Sequence, residues 1–121
     1  MLLAVGGHVL GDLGPLAPRM ATGLAGGVGN THQEMCGALS GGVLVIGGVL
    51  GREHVSEDDE PALSVTARYR ARFLEELGDT QCARLRELVD APGGLGSCAA
   101  LVERAAMILL ELLAEADGRV Q

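Results

Sequence analysis

The sequence predicts an all-α protein, a small helical bundle with a glycine-rich loop beside a central apolar helix. Three observations predict it. Aromatic residues are nearly absent, with one Tyr, one Phe and no Trp among 121 residues. The core must therefore come from Leu, Val, Ala and Met, which suits closely packed helices better than a sheet. No run alternates apolar and polar residues over a useful strand length. Finally, Leu101, Val102, Ala105, Ile108, Leu109, Leu112 and Leu113 recur at three- and four-residue intervals, the period of one helix face. The length suits one domain, 1–121.

In chain order, Met1 to Leu13 has apolar residues at helical spacing, weakened by Gly6 and Gly7 and ended by Gly14-Pro15. Ala17 to Thr22 forms a short second helix that tolerates Pro18 in its first turn. Gly23 to Asn30 is a loop of glycines. Asn30 or Thr31 caps the central helix, with Thr31 and Glu34 spaced as a capping box, and that helix runs to about Leu50. Within it Gly37 and Gly41, and at its end Gly47 and Gly51, are four apart, spacing that lets another backbone approach. Gly51 to Asp59 is a polar linker whose acidic end leads into a helix from Pro61 to Leu77, closed by Gly78. Arg68, Arg70 and Arg72 on it read as a solvated surface. Asp79 or Thr80 caps a short helix carrying Cys82, Leu85, Leu88 and Val89. After the turn Ala91 to Gly96, Ser97 caps a last helix from Cys98 to about Ala116, stopped by Gly118.

Charge excludes several function classes. The net charge is −7, and all nine basic residues are Arg, without a cluster. Nucleic-acid binding is therefore not expected, because phosphate neutralisation needs basic residues on one face. Without Lys, neither a Schiff base nor a Walker-type phosphate loop can form. The glycine loop does not match G-x-G-x-x-G and follows no strand, which argues against a dinucleotide site. The apolar segment from Cys36 to Leu50 is shorter than the roughly 20 residues that span a bilayer, so no membrane insertion is expected. Met1 to Leu10 lacks the charged n-region and cleavage site of a signal peptide. The expected setting is cytoplasmic, where resting cysteines are thiols unless catalytic, regulatory or metal-bound.

The chemistry falls to Cys36, Cys82 and Cys98, each placed in the first turn or so of a predicted helix. A helix N-terminus favours thiolate, so Cys36 is expected to have a modestly lowered pKa and to alkylate first of the three. No C-x-x-C is present, so any pairing joins distant parts of the chain. His32, four residues before Cys36, is a candidate base or fourth ligand, since three Cys and one His suit tetrahedral zinc. Amides of Gly26, Gly27 and Gly29 are candidates to line the cysteine site as an anion nest. His8 reads as structural and His54 as solvated.

Cys36-Gly37-Ala38-Leu39-Ser40-Gly41 resembles the CGAxxG signature of the C_GCAxxG_C_C family of redox-active bacterial proteins. The glycine loop before it, the apolar helix after it and the later single Cys82 and Cys98 extend the resemblance over nearly the whole chain. It implies an all-helical domain with clustered cysteines in a redox or metal role, and a redox partner or transporter-associated partner protein. The family carries a further cysteine at the start of its first helix. Leu2 to Val5 resembles the segment that follows it, so that cysteine has either been lost or precedes this start.

The preferred function is thiol–disulfide exchange or electron transfer through Cys36, Cys82 and Cys98, with Cys36 as the reactive thiol and Cys82 or Cys98 resolving it. One alternative is a metal module, holding zinc with His32 or an iron–sulfur cluster with the additional cysteine. Another is a structural partner protein without chemistry. With 48% hydrophobic residues in a small chain, a homodimer is also expected.

Overall fold

In the final helix the 3–4 pattern does what its spacing predicts: Leu101, Ala105, Ile108, Leu109, Leu112 and Leu113 are all buried. The structure, a computed structural model, describes the backbone of residues 1–120 and side chains to residue 116. Its α-helices are α1 (Gly7–Leu10), α2 (Leu16–Ala21), α3 (Glycine-rich, Gly37–Leu50), α4 (Glu60–Leu77), α5 (Cys82–Asp90) and α6 (Cys98–Val120). The described residues contain no strand, only an isolated antiparallel bridge between Met35 and Gln81. The protein is therefore all-α.

Three helices, α3, α4 and α6, pack against one another and enclose the core. Val45 and Ile46 come from α3, Tyr69 and Phe73 from α4, and Ile108, Leu109 and Leu112 from α6. Full burial of each large apolar side chain contributes about 1.5–3 kcal/mol. α5 adds Leu85 and Val89 against α6. The lone aromatic pair, Tyr69 and Phe73, meets edge to face with centroids 6.1 Å apart.

Glycines in α3 admit their neighbours unequally. A Cβ on Gly42 would stand 2.5 Å from the Tyr69 ring, and one on Gly48 2.5 Å from Leu10 Cδ1. Gly41 faces Met1 and the Leu2 amide, with Met1 Cβ 3.0 Å from where a Cβ would stand. Thus backbone does approach Gly41, but Gly47 faces open space and Gly51 lies against the carbonyl of Gly47. The tightest contacts with side chains of other elements are at Gly42 and Gly48, outside the four-residue spacing.

Several boundaries differ from the sequence expectation. The first helix opens as a π-helical turn, Leu2–Gly6, and α1 stops at Gly11, whose φ of +79° breaks the helix before Gly14. α3 starts at Gly37 instead of near Thr31. Thr31 Oγ1 donates to the carbonyls of Gly27 and Val28, and the Glu34 amide donates to Gly27 O, so no capping box forms. α6 continues through Gly118 to Val120, because one glycine costs a helix only about 1 kcal/mol relative to alanine. Arg68 and Arg72 are not merely solvated: Arg68 pairs with Glu115 at 2.5 Å and Arg72 with Glu111 at 2.8 Å, linking α4 to α6. Other signals lie where expected. Gly78 ends α4 at φ +96°, and Ser97 Oγ accepts the Ala100 amide at 3.1 Å.

Candidate functional site

The site begins in backbone geometry. Gly26, Gly27, Val28, Gly29, Asn30 and His32 all have positive φ, so the loop coils tightly through the left-handed region. Its amides turn inward. Those of Gly29, Asn30 and His32 donate to the carbonyls of Gly23, Ala25 and Gly26. The chain then runs alongside the start of α5. Ala83 N–H donates to His32 O, Cys82 N–H to Glu34 O and Cys36 N–H to Thr80 O, at 2.9, 2.9 and 2.8 Å.

That pairing sets the register of two cysteines. With Met35 opposite Gln81 and the Cys82 amide on Glu34 O, Cys36 and Cys82 come from adjoining segments. Cys36 becomes the N-cap residue of α3 and Cys82 the first residue of α5. Asp79 braces the turn before α5 by accepting the amides of Thr80 and Gln81. Those two donors, that of Gln81 first, hold its carboxyl below the usual range. Gly27 closes over the pair: a Cβ there would lie 2.6 Å from Cys82 Cβ.

Cys98, the first residue of α6, completes the set. All three cysteines line one cavity of about 570 Å³ with mostly apolar walls. Its walls come from the first residues of the chain, α2, the glycine loop and the starts of α3, α5 and α6. Helical register explains the lining, since residues four apart share a face: Cys36 brings Ser40, Cys82 brings Arg86 and Cys98 brings Val102. Exposure is graded. Cys98 is exposed, Cys36 is half-buried and Cys82 is buried.

The expected lowering of the Cys36 pKa is overturned. Burial pushes its thiol above the ordinary range; the Ala38 and Leu39 amides directed at the sulfur oppose this less strongly, and the nearby Cys82 and Cys98 thiols add to the rise. A helix N-terminus does act on this sulfur, but desolvation outweighs it.

Among the candidate glycines, Gly26 lines the cavity and Gly27 packs on Cys82, whereas Gly29 faces open space. The Gly29 amide is committed to Gly23 O, so it is not a free donor for an anion. His32 is not part of the cavity lining. Its Nε2 lies 3.0 Å from Arg86 Nη1 and 3.3 Å from Asn30 Oδ1. A guanidinium only donates, so Nε2 accepts from it. Among the described residues, no group of three or more His, Cys, Asp or Glu side chains is arranged to hold a metal ion. The donor set of three cysteines and His32 does not fit zinc in this arrangement.

Two residues were missed from the sequence. Arg86 carried a signal, its place one turn after Cys82. Tyr69 carried none: it is fully buried, and its hydroxyl donates to Ala38 O at 2.9 Å, bracing the first turn of α3 behind Cys36. Burial, then the nearby Cys36 thiol, push the Tyr69 phenol well above its usual range, so it stays a donor.

A family model described as "Putative redox-active protein (C_GCAxxG_C_C)" matches residues 2–112. No curated protein and no solved structure matches the chain. Among the described residues, no helix is long and apolar enough to cross a membrane.

Proposed function

The chain belongs to the C_GCAxxG_C_C family, and on that premise we propose that it performs thiol–disulfide exchange through Cys98, Cys36 and Cys82. The observation that carries this reading is the single cavity shared by three cysteines of graded exposure. Cys98, the exposed one, is the thiol that meets an incoming disulfide. Its thiolate attacks one sulfur, forms a mixed disulfide and releases the first partner thiolate. Cys36 then loses its proton and attacks Cys98 Sγ, forming a Cys36–Cys98 disulfide and releasing the second partner thiolate. Two electrons pass from the protein dithiol to the partner disulfide, and two protons end on the released thiolates. Cys82 can in turn attack Cys36 Sγ, moving the bond inward and freeing Cys98.

The Ala38 and Leu39 amides stabilise the Cys36 thiolate when it forms, and Tyr69 holds the turn that carries them. The raised pKa makes the Cys36 thiolate the stronger nucleophile once it forms, and lowers the fraction of it that is formed.

The test is elemental analysis with a free-thiol count on protein purified under reducing, anaerobic conditions. The expected result is metal-free protein with three titratable thiols, two of which disappear on adding a disulfide. Stoichiometric zinc or iron would replace this reading with the metal module. Three thiols that never react would replace it with the structural partner.

A further inference from the structure

The cleft has a chemistry of its own beyond the sulfurs. Its volume, about 570 Å³, falls in the range that takes a small organic molecule. Leu2, Leu24 and Val102 give it apolar walls. One charged side chain lines the cleft: Arg86. Among the described residues it forms no ion pair, as is also true of Arg19, Arg70 and Arg104. Its guanidinium contacts His32 Nε2, an acceptor without negative charge, so the cation keeps its charge for a ligand. In a chain of net charge −7, an unpaired cation beside three thiols selects for an anion. Ser40 Oγ, on the same wall, donates to the carbonyls of Cys36 and Gly37 at 3.5 Å.

We propose that the cleft binds a small organic disulfide bearing a carboxylate, its apolar body against Leu2, Leu24 and Val102 and its carboxylate on Arg86. This names the substrate of the exchange and rests on that reading. The Cys98 thiolate attacks one ligand sulfur and releases one small thiolate. Cys36 gives up its proton, attacks Cys98 Sγ and releases the other. The ligand disulfide is reduced to two thiols as Cys36 and Cys98 are oxidised to a disulfide.

The experiment separates binding from exchange. Dithiodibenzoate supplies a disulfide with carboxylates, dithiodianiline an uncharged disulfide of similar shape, and thiodibenzoate an inert sulfide that cannot exchange. Calorimetry with thiodibenzoate should show binding to the wild-type protein. Arg86→Gln should weaken it about tenfold, the size of one lost charge-assisted contact, and Arg86→Lys should restore most of it. In exchange kinetics, Arg86→Gln should slow dithiodibenzoate by a similar factor and leave dithiodianiline unchanged. Thiodibenzoate binding that is absent, or equal in wild type and Arg86→Gln, overturns the cleft assignment, even if both disulfides still oxidise the thiols. Arg86-dependent binding of thiodibenzoate without any thiol loss to dithiodibenzoate supports the cleft assignment and overturns the exchange reading instead.

Discussion

Around the middle of α3, Ile46, Phe73, Leu109 and Leu112 pack with no exposed surface; at its N-terminal end, Cys36, Gly41 and Val102 line an open cleft of about 570 Å³. The first region is held by apolar side chains from three helices. The second is held by backbone: a left-handed loop, three amide-to-carbonyl bonds between 32–36 and 80–83, and a glycine under Cys82. The contrast separates stability from chemistry. A close-packed interior resists change, whereas a thiol site needs space above its sulfurs, and the fold keeps the two side by side on one helix.

The largest effect that tests this division lies in the core. Leu112→Ala should destabilise the protein by about 2–5 kcal/mol, read in a denaturant melt, while the relative alkylation rates of the three thiols stay the same in the folded protein. A changed order of alkylation would mean that core and site are coupled. Next come the glycines. Gly27→Ala should cost about 1–3 kcal/mol, because it adds a side chain at φ +70° against Cys82, and it should also change Cys82 labelling. Gly47→Ala, in open space, should instead stabilise by roughly 0.5–1 kcal/mol. Equal melting shifts for the two would remove the distinction drawn between them.

The same division explains what the sequence made legible. Periodicity reported the core, because Leu101 to Leu113 must bury one face of a helix. Turn chemistry reported Gly78 and Ser97. The path of residues 31–36 was not legible. Thr31 and Glu34 have capping-box spacing, yet their backbone groups are drawn into the glycine loop and into pairing with residues 80–83. That pairing joins segments far apart in the chain, and local pattern carries no information about it. The sequence singles out the three cysteines, but their order of exposure was not legible, because it depends on what packs over each sulfur. Desolvation of Cys36 belongs to the same class of long-range effect.

The smallest effect concerns pH. The folded-state Cys36 pKa is raised, so above the ordinary thiol value the folded protein keeps a proton that the unfolded chain has lost. This contribution to stability is fully present below about pH 8.5 and is lost as pH rises from there through the folded-state pKa. Cys36→Ser should flatten the decline in melting temperature on the alkaline side. An identical decline in that variant would mean that Cys36 is not the buried thiol responsible.

The most direct test of the shared thiol site is disulfide mapping. Reduced, metal-free protein is treated with one equivalent of a small disulfide, quenched by alkylation, digested and mapped by mass spectrometry, with Cys98→Ser alongside. The account predicts an intramolecular disulfide that includes Cys36, joined to Cys98 or Cys82, and much slower oxidation in Cys98→Ser. Oxidation confined to Cys98–Cys98 bonds between chains, with Cys36 and Cys82 left free, would contradict it.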